Sequence, residues 1–408
     1  MYGLLLRSSF VASIGLAVCI GRADQRSSPP VGGEPDAATL AKLPNSQVAS
    51  RITPPTPPNK GILFVDHSKS NRSGHLGHAL VEYEPGKILA FYPNCSDYMG
   101  GHSAVGWMEF KRSNDGGKTW GSSQRLPFSR WLFDAKMGRT AMAEKAVATD
   151  RGEIILFYLI CQISNNGYWE PYWTPLFCRS ADGGETWSKP QPVCPTRGRV
   201  FSAVWKDGEI RALHFANDGS ARAKEGGALE GRFYELYVRS DSGKTFRKRS
   251  TLPFKSKNRC YGTLGFLADG VMIAYVYKTT DEYTLGYATS DDGGRTWSKV
   301  QTARFARKIR NPQFIAFDGK YYMHGRSRSL GVGNGNMILY ASTDGVNWDN
   351  GVHLRMKETG LGAYSNSIIV HDKARNRLLI QASHAYNEHR TNVLHWWVDS
   401  CPAQQSMP

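Results

Sequence analysis

A turn-like octapeptide recurs along the chain and sets the period of the whole sequence. It reads SNDGGKTW at Ser113–Trp120, SADGGETW at Ser180–Trp187 and SDDGGRTW at Ser290–Trp297. Weaker copies are RSDSGKTF at Arg239–Phe246 and STDGVNW at Ser342–Trp348. Successive aspartates of the repeat are separated by 67, 59, 51 and 52 residues. Self-similarity at such a period is typical of stacked or radially arranged structural units.

Each copy contains the residues of a tight hairpin turn. The aspartate can accept bonds from backbone N–H groups, glycine allows positive φ angles, and the final Trp or Phe is an apolar anchor. The segments before the turns are rich in β-branched and aromatic residues, as in Ile154–Ile160 and Val271–Tyr277. About four short strands fit in each interval, which is one propeller blade. We therefore predict an all-β fold, a six-bladed β-propeller of four-stranded antiparallel blades, whose sixth blade at Tyr364–Val398 lacks the turn. We expect the turns to be scaffold rather than catalytic.

The chain divides by composition into a signal peptide at residues 1–23, a disordered Pro- and Ser-rich leader at 24–60 and the propeller at 61–401. The signal is indicated by a basic first segment, an apolar run and a cleavage-like Gly21-Arg22-Ala23. The apolar run is too short to cross a membrane, so we expect no transmembrane segment in the mature chain. We expect a secreted or periplasmic protein. Lipoprotein anchoring at Cys19 is less favoured, because Val18 is atypical before a lipidated cysteine.

Cysteine content permits disulfides without specifying them. Six cysteines follow the signal segment, namely Cys95, Cys161, Cys178, Cys194, Cys260 and Cys401. An even number in an exported chain is compatible with disulfide bonds, but their pairing cannot be deduced. No CxxC or Cys/His spacing typical of a metal centre is present, so we expect no metal and no cofactor.

The chain is strongly basic, with a formal net charge of +16 over 408 residues. The basic residues are scattered rather than gathered in a tail or on one helix face, and no nucleic-acid-binding motif is present. A positive surface attracts acidic partners, so an anionic glycan is the expected substrate and nucleic acid is not. We expect the protein to be a monomer.

Residues at the blade openings point to an anion-binding site. In a propeller the innermost strand of each blade lines the central channel, and its first residues reach the mouth. Aligning the blades by their turns places similar residues at this position: Arg139, Arg199, Arg259, Arg310, His75 with His78, and Tyr364. The planar guanidinium of arginine matches both oxygens of a carboxylate. Each arginine could instead pair with a neighbouring acid, such as Glu144 near Arg139.

The repeated turns and the blade openings together resemble the sialidase (neuraminidase) superfamily, whose turns are known as Asp boxes or BNR repeats. The resemblance covers residues 61–400 and implies an arginine triad that holds a substrate carboxylate. It also implies a tyrosine nucleophile activated by a glutamate, outside the usual paired-carboxylate scheme. Carried over residue by residue, it implies that Tyr364 in GAYSNSIIV is the nucleophile. Arg310 in IRNPQFIAF would be a triad arginine, and Asp97 in FYPNCSDYMGG the acid/base.

Two positions depart from that pattern. The stretch HLGHALV of blade one has His75 and His78 where the family has an arginine, and CYGTLGFL of blade four has no acid where the family has its helper glutamate. Candidate replacements for the helper are Glu144, Glu230 and Glu235, and candidates that would complete the carboxylate clamp are Arg326, Arg259 and Arg139. His75, His78 and His102 could form a different acid/base set, because imidazole titrates near neutrality.

Three functions remain open from the sequence. The leading hypothesis is a secreted exo-glycosidase that hydrolyses an acidic sugar from a glycan, with Tyr364 as nucleophile and Asp97 as acid/base. The second is a polysaccharide lyase that uses a His/Tyr pair on a uronate-containing glycan. The third is a non-catalytic glycan-binding propeller.

Overall fold

The computed structural model has six four-stranded antiparallel sheets, so the predicted propeller is confirmed. It describes residues 61–75, 77–96, 105–137, 139–162, 173–216, 233–240, 243–255, 259–327, 336–355, 364–373, 375–387 and 390–399. The predicted signal peptide and leader, with Cys19, lie outside these ranges. No helix in the described part of the chain is both long and apolar enough to cross a bilayer.

The strands follow the chain blade by blade, from the channel outward. Blades one and two contain β2 (Ala79–Glu84), β3 (Lys87–Cys95), β4 (Gly106–Ser113), β5 (Gln124–Arg125), β6 (Arg139–Ala148), β7 (Ile154–Gln162), β8 (Leu176–Ser180) and β9 (Gln191–Pro192). Blades three and four contain β10 (Gly198–Lys206), β11 (Glu209–Ala216), β12 (Phe233–Ser240), β13 (Arg247–Thr251), β14 (Arg259–Phe266), β15 (Met272–Lys278), β16 (Thr284–Ser290) and β17 (Gln301–Arg304).

Blades five and six complete the ring. They contain β18 (Arg310–Phe317), β19 (Lys320–Ser327), β20 (Asn336–Ser342), β21 (Val352–Arg355), β22 (Ser365–Val370), β23 (Arg377–Ala385) and β24 (Thr391–Asp399). The helix α1 (Pro127–Asp134) joins blades one and two, and a short 3-10 helix spans His67–Ser70.

Blade six is closed by the first described strand. β1 (Ile62–Val65) pairs antiparallel with β24, and Ile62 lies opposite His395. In the other blades the third and fourth strands are joined by the repeated turn. Blade six has no such hairpin, because its fourth strand comes from the other end of the described chain. This topology explains why the sixth copy of the motif is missing.

The repeated turn is held together by its own side chains. In the first copy Thr119 donates from its amide and its hydroxyl to the Asp115 carboxylate, at 2.9 and 2.6 Å. The Ser113 hydroxyl donates to Asp115 and accepts from the amide of Gly117. These bonds, chiefly the one from the Thr119 hydroxyl, lower the pKa of Asp115 to about 2. The turns therefore fold as local units, which is consistent with a scaffold role.

Each repeated turn also packs against the preceding blade. Trp120 of blade one lies in a cluster with Leu80 of its own blade and Leu379 of blade six. Trp187, Phe246 and Trp297 make the equivalent contacts in blades two to four, and Trp348 of blade five is completely buried. Burial of such large rings stabilises the interface between blades by about 1.5–3 kcal/mol each. The motif is thus an inter-blade anchor as well as a turn.

Two adjacent glycines of the first turn provide a direct test of this packing. Gly116 and Gly117 have φ angles of +72° and +79°, so alanine would strain the backbone at both. A Cβ on Gly117 would lie 2.7 Å from the Trp397 ring of blade six, whereas one on Gly116 would have its nearest neighbour at 3.8 Å. Overpacking a core costs about 1–3 kcal/mol. Both substitutions should lower the free energy of unfolding, measured by urea denaturation. The loss in Gly117→Ala should exceed that in Gly116→Ala by about 1–3 kcal/mol.

Equal losses in the two variants would contradict the inter-blade role of this turn, because backbone strain is common to both positions. A larger loss in Gly116→Ala would contradict it more strongly.

The described cysteines form no disulfide with one another. Cys95, Cys161, Cys178 and Cys194 are buried as thiols and Cys260 is half-buried, while Cys401 lies outside the described residues. Burial raises the pKa of the Cys95 thiol to about 12, so it is inert as a nucleophile at neutral pH. Within the described ranges, no group of His, Cys, Asp and Glu side chains could hold a metal ion.

Candidate active site

The mouth of the propeller is the end at which the inner strands begin. Arg139 of β6 pairs with Gln162 at the end of β7, and Ser365 of β22 pairs with Ala382 near the end of β23. Because neighbouring strands are antiparallel, the third strands begin, and the fourth strands end, on this same face. The repeated turns join the third and fourth strands and therefore lie on the opposite face, away from the mouth.

A narrow pocket opens at the mouth. It leaves a space of about 40 Å³ for water-sized groups, enough for a substituent such as a carboxylate. Every blade contributes to it through its inner strand or the residues directly before that strand. Its lining residues are Gly77, His78, Glu144, Arg199, Phe201, Tyr261, Gly262, Asn311, Gln313, Tyr364 and Ser365.

Tyr364 lies in this pocket, as its position before β22 predicts. Its amide donates to the Ser383 hydroxyl at 3.0 Å, and its carbonyl accepts from the Ser383 amide at 3.1 Å. Its phenol oxygen is 2.9 Å from that of Tyr261. Burial raises the pKa of Tyr261 well above its ordinary value, so this partner is a neutral phenol rather than a base. Tyr261 belongs to CYGTLGFL, the stretch in which the sequence comparison finds no helper acid.

The inner strand that follows Tyr364 is tied to two other blades. The Asn366 amide nitrogen donates to the carbonyl of His78 at 2.8 Å and to that of Glu144 at 3.2 Å. Its oxygen accepts from the Lys145 ammonium at 2.7 Å. Burial lowers the pKa of Lys145 to about 7. These bonds fix the start of β22 against blades one and two and hence the position of Tyr364.

Arg199 and Glu144 form a buried ion pair on one wall of the pocket. The Arg199 side chain is 4% exposed and that of Glu144 9%. The two groups are joined by two bonds, one of them 3.0 Å from Nε to Oε2. The guanidinium also lies over the Phe201 ring at 5.0 Å and the Tyr261 ring at 5.4 Å. Glu144 thus pairs with Arg199, not with Arg139, its neighbour in sequence.

Arg310 and Arg326 lie beside the pocket on blade five, directly opposite each other across β18 and β19. Both are buried, with 6% and 5% exposure. The carboxylate of Glu282 is 3.9 Å from Arg310 and accepts a bond from the Tyr277 phenol at 2.9 Å. Burial alone would lower the pKa of Arg310, but Tyr277, Tyr261, Glu282 and Tyr364 act together to raise it.

Three buried guanidiniums lie around the two tyrosines, those of Arg199, Arg310 and Arg326. Arg199 pairs with the Glu144 carboxylate, and the Glu282 carboxylate is 3.9 Å from Arg310. Planar guanidiniums are the side-chain groups best matched to a carboxylate.

The two histidines of blade one differ in their surroundings. His78 lines the pocket, but its ring nitrogens face the Gly74 carbonyl and the Gln381 side chain, each at 3.0 Å. The His75 ring packs edge-on against Tyr364, with centroids 5.3 Å apart. Burial lowers the pKa of each to about 3, and for His75 the charge of Arg326 adds to this effect. Both are therefore neutral imidazoles at neutral pH.

Two arginines at the same register point elsewhere. The Arg139 guanidinium stacks over Trp173, 3.5 Å from the ring centroid. The Arg259 guanidinium packs over Gly286 of its own blade, where the absence of a side chain leaves room for it. Neither residue lines the pocket. Equal register therefore does not bring all four arginines to one point, because each side chain turns toward its own local partner.

The other residues proposed from the sequence fall into two groups. Asp97, His102 and Glu230 lie outside the described residues. Glu235 is buried in blade three, where its carboxylate contacts His214 at 3.3 Å and Lys248 at 2.5 Å, and it does not line the pocket.

Sequence reasoning did not identify Tyr261, Glu282 or Asn311. Asn311 lines the pocket in a left-handed conformation with φ of +53°, within the bulge of β18. It is 5% exposed, and neither its amide oxygen nor its amide nitrogen has a partner among the described residues. Only Tyr261 had a signal in the sequence, because it falls at the blade-four register where the family has its helper glutamate.

Comparison with solved structures shows that sialidases share this architecture. A Hadza microbial sialidase superposes with a TM-score of 0.60 at 15% identity, covering 82% of this chain and 68% of that one. The Trypanosoma rangeli sialidase in complex with sialic acid superposes with a TM-score of 0.57 at 14% identity, covering 84% of this chain and 57% of that one. The fold is a sialidase-like propeller.

The fold is also shared with a protein of unknown function. A crystal structure from Dyadobacter fermentans superposes with a TM-score of 0.63 at 13% identity, covering 84% of this chain and 98% of that one. No model of a known protein family matches the sequence, and no curated protein matches it. Identities this low establish the architecture, and function has to be argued from the site.

Proposed function

We propose that this protein is an exo-acting glycosidase that removes a carboxylate-bearing sugar from a glycan. The observation that carries the proposal is the pair of buried arginines, Arg310 and Arg326, whose charges act on Tyr364 and on its ring neighbour His75, respectively. An arginine fork binds both oxygens of a carboxylate. The positive charges of these two side chains would attract a carboxylate of the sugar.

The sugar would present its carboxylate to Arg310 and Arg326 and its anomeric carbon to Tyr364. A phenol oxygen suits this substrate, because a carboxylate nucleophile would be repelled by the carboxylate of the sugar. The bond from the anomeric carbon to the leaving oxygen breaks as the bond to the Tyr364 oxygen forms. We assign proton donation to the leaving oxygen to Asp97. The Tyr364 phenol loses its proton to solvent as its oxygen bonds to the anomeric carbon. Water then attacks that carbon and gives one proton to the Asp97 carboxylate, while the bond to the Tyr364 oxygen breaks and this oxygen regains a proton from solvent.

Tyr261 would orient the Tyr364 phenol through their hydrogen bond of 2.9 Å. Asn311 would bind a polar substituent of the sugar, since its buried amide has unused donors and an unused acceptor in the described structure. Arg199 and Glu144, paired with each other, would form the rigid opposite wall.

The lyase alternative has less support. It needs a base that removes the proton next to the carboxylate, and the candidates at the mouth are His75 and His78. Their pKa values near 3 make both weak bases. The nitrogens of His78 are also committed to Gly74 and Gln381. A non-catalytic glycan binder uses the same arginines and differs only in turnover.

Release of a fluorescent aglycone from sialoside and uronide substrates tests the proposal. A hydrolase releases the fluorophore and a saturated sugar. A lyase instead yields an unsaturated sugar product that absorbs ultraviolet light. Binding of the free acid sugar without release from any substrate would favour the binder. We also propose that the protein acts outside the cytoplasm as a monomer, exported by the segment at residues 1–23.

A further inference from the structure

We propose that the face around the mouth has a second binding surface, built from arginines stacked on tryptophans, that holds a carboxylate-bearing polysaccharide chain. We call it the Arg–Trp rim and define it by Arg72, Trp107, Arg125, Arg130, Trp131, Arg139, Trp173 and Arg197. It is distinct from the pocket, none of whose lining residues it contains. It depends on the proposed function only for the choice of a carboxylate sugar as ligand.

The first part of the rim centres on Trp107. The guanidiniums of Arg130, Arg72 and Arg125 lie 4.4, 4.9 and 5.7 Å from its ring centroid. Its indole nitrogen donates to Glu109 at 2.9 Å, which fixes the ring. Stacking on an aromatic face orients a guanidinium and leaves its N–H edge available in the plane. Trp107 therefore holds three guanidiniums in fixed positions, and Arg72 is fixed further by donating to the Asn94 side-chain oxygen at 2.7 Å and to its carbonyl at 2.9 Å.

Helix α1 makes this part of the rim rigid and adds an exposed ring. The Ser129 hydroxyl accepts from the Met108 amide at 2.9 Å and donates to the Ala141 carbonyl at 2.7 Å, joining the helix to blades one and two. Trp131 on the same helix is 57% exposed, among the largest exposures of an apolar residue in the described structure. A large exposed aromatic ring is a stacking surface suited to the apolar face of a sugar.

The second part of the rim centres on Trp173. Arg139 and Arg197 lie over its ring at 3.5 and 4.6 Å from the centroid. The Trp173 carbonyl accepts from the Gly198 amide at 3.2 Å, so this cluster is tied to the opening of blade three. The arginine that the sequence places at the mouth, Arg139, belongs here rather than in the pocket.

Both clusters lie on the mouth face. Trp107 opens β4 and Trp173 precedes β8, both third strands, while Arg125 ends β5, a fourth strand. By the strand directions of the blades these positions are at the mouth end. A chain whose terminal sugar enters the pocket could therefore continue across blades one to three.

The charges on the rim favour a polyanion. Among the described residues, Arg130 has a carboxylate within ion-pairing distance, Asp134 at 2.8 Å, and Arg125, Arg139 and Arg197 have none. Spaced, pre-oriented guanidinium edges match carboxylates repeated along a polysaccharide.

The test is binding of polygalacturonate to the full protein, measured by calorimetry at two salt concentrations. Wild type should bind it with an affinity that falls with salt, and should bind the fully methyl-esterified polymer more weakly. The double variant Arg125→Gln/Arg197→Gln should lose about tenfold or more in affinity. Trp131→Ala should also weaken binding while leaving the salt dependence unchanged.

The matched control is Arg247→Gln/Arg295→Gln, which removes the same charge from the opposite face. It should bind like wild type, and all variants should cleave a small fluorescent substrate at the wild-type rate. Equal losses of polygalacturonate affinity in both double variants would overturn the proposal that the Arg–Trp rim binds the polysaccharide. An unchanged affinity in the Arg125→Gln/Arg197→Gln variant would overturn it as well. Tighter binding of oligo(dT) than of polygalacturonate would overturn it in favour of nucleic acid. Failure of small-substrate cleavage alone contradicts the proposed function and leaves the rim intact.

Discussion

Replacing Tyr364 by phenylalanine should reduce release of a fluorescent aglycone from the preferred acidic sugar by about a thousandfold or more. The variant removes one oxygen, which the proposal makes the nucleophile, and losing a nucleophile typically costs several orders of magnitude in turnover. The hydrogen bond to Tyr261 is lost as well, but a single neutral bond is worth only about 0.5–1.5 kcal/mol. Steady-state kinetics measure the effect, with KM expected to change little.

The matched control is Tyr92→Phe. Tyr92 is also a buried tyrosine whose phenol makes a hydrogen bond, to the Ser123 hydroxyl at 2.7 Å, but it lies in blade one away from the pocket. Its variant should keep wild-type turnover. If Tyr364→Phe also keeps full turnover, the nucleophile is another group. If the unfolding midpoint of Tyr364→Phe falls far below that of Tyr92→Phe, the loss reflects folding instead.

Replacing Arg310 by lysine should raise KM for the carboxylate sugar by about ten- to hundredfold. Lysine keeps the positive charge but loses the planar fork, so at least one charge-assisted hydrogen bond of about 1.5–3 kcal/mol is lost. For the carboxamide analogue of the same sugar, wild type and variant should differ much less. The ratio of the two effects, measured by kinetics or by calorimetry of the free sugars, isolates recognition of the carboxylate.

Arg259→Lys is the control for this experiment. Arg259 begins the inner strand of blade four as Arg310 begins that of blade five, but its guanidinium packs over Gly286. Its variant should bind the carboxylate sugar as wild type does. Equal losses in the two variants would mean that charge near the mouth, rather than a specific fork, attracts the substrate.

Much of the fold follows from one short motif. The octapeptide contains its own hydrogen-bonding partners, as Ser113, Asp115 and Thr119 show, so it forms the same turn wherever it occurs. Its spacing gives the number of blades and the register of the inner strands. Tyr364 could be placed at the mouth from this register together with the resemblance to sialidases, although its own blade lacks the motif. The closure of blade six by β1 could not be predicted from the sequence, because no motif marks the pairing of strands from the two ends of the described chain.

The direction of each side chain at the mouth depends on its tertiary contacts rather than on the repeated motif. Arg139, Arg199 and Arg310 share a register but contact Trp173, Glu144 and Glu282. These partners come from other strands or other blades, at sequence distances that no local pattern encodes. Tyr261 illustrates the same point: the sequence shows only a missing acid, whereas the structure places its phenol against that of Tyr364.

The sequence by itself therefore determined the architecture, the blade register and the placement of a tyrosine and arginines at one end of the propeller. These depend on local turn chemistry and strand periodicity, which are written in neighbouring residues. The tertiary structure alone decided which arginines approach Tyr364, which stack on tryptophans around the mouth, and which histidines are buried and neutral. Those outcomes depend on packing between blades, where each side chain takes the partner that the fold brings near it.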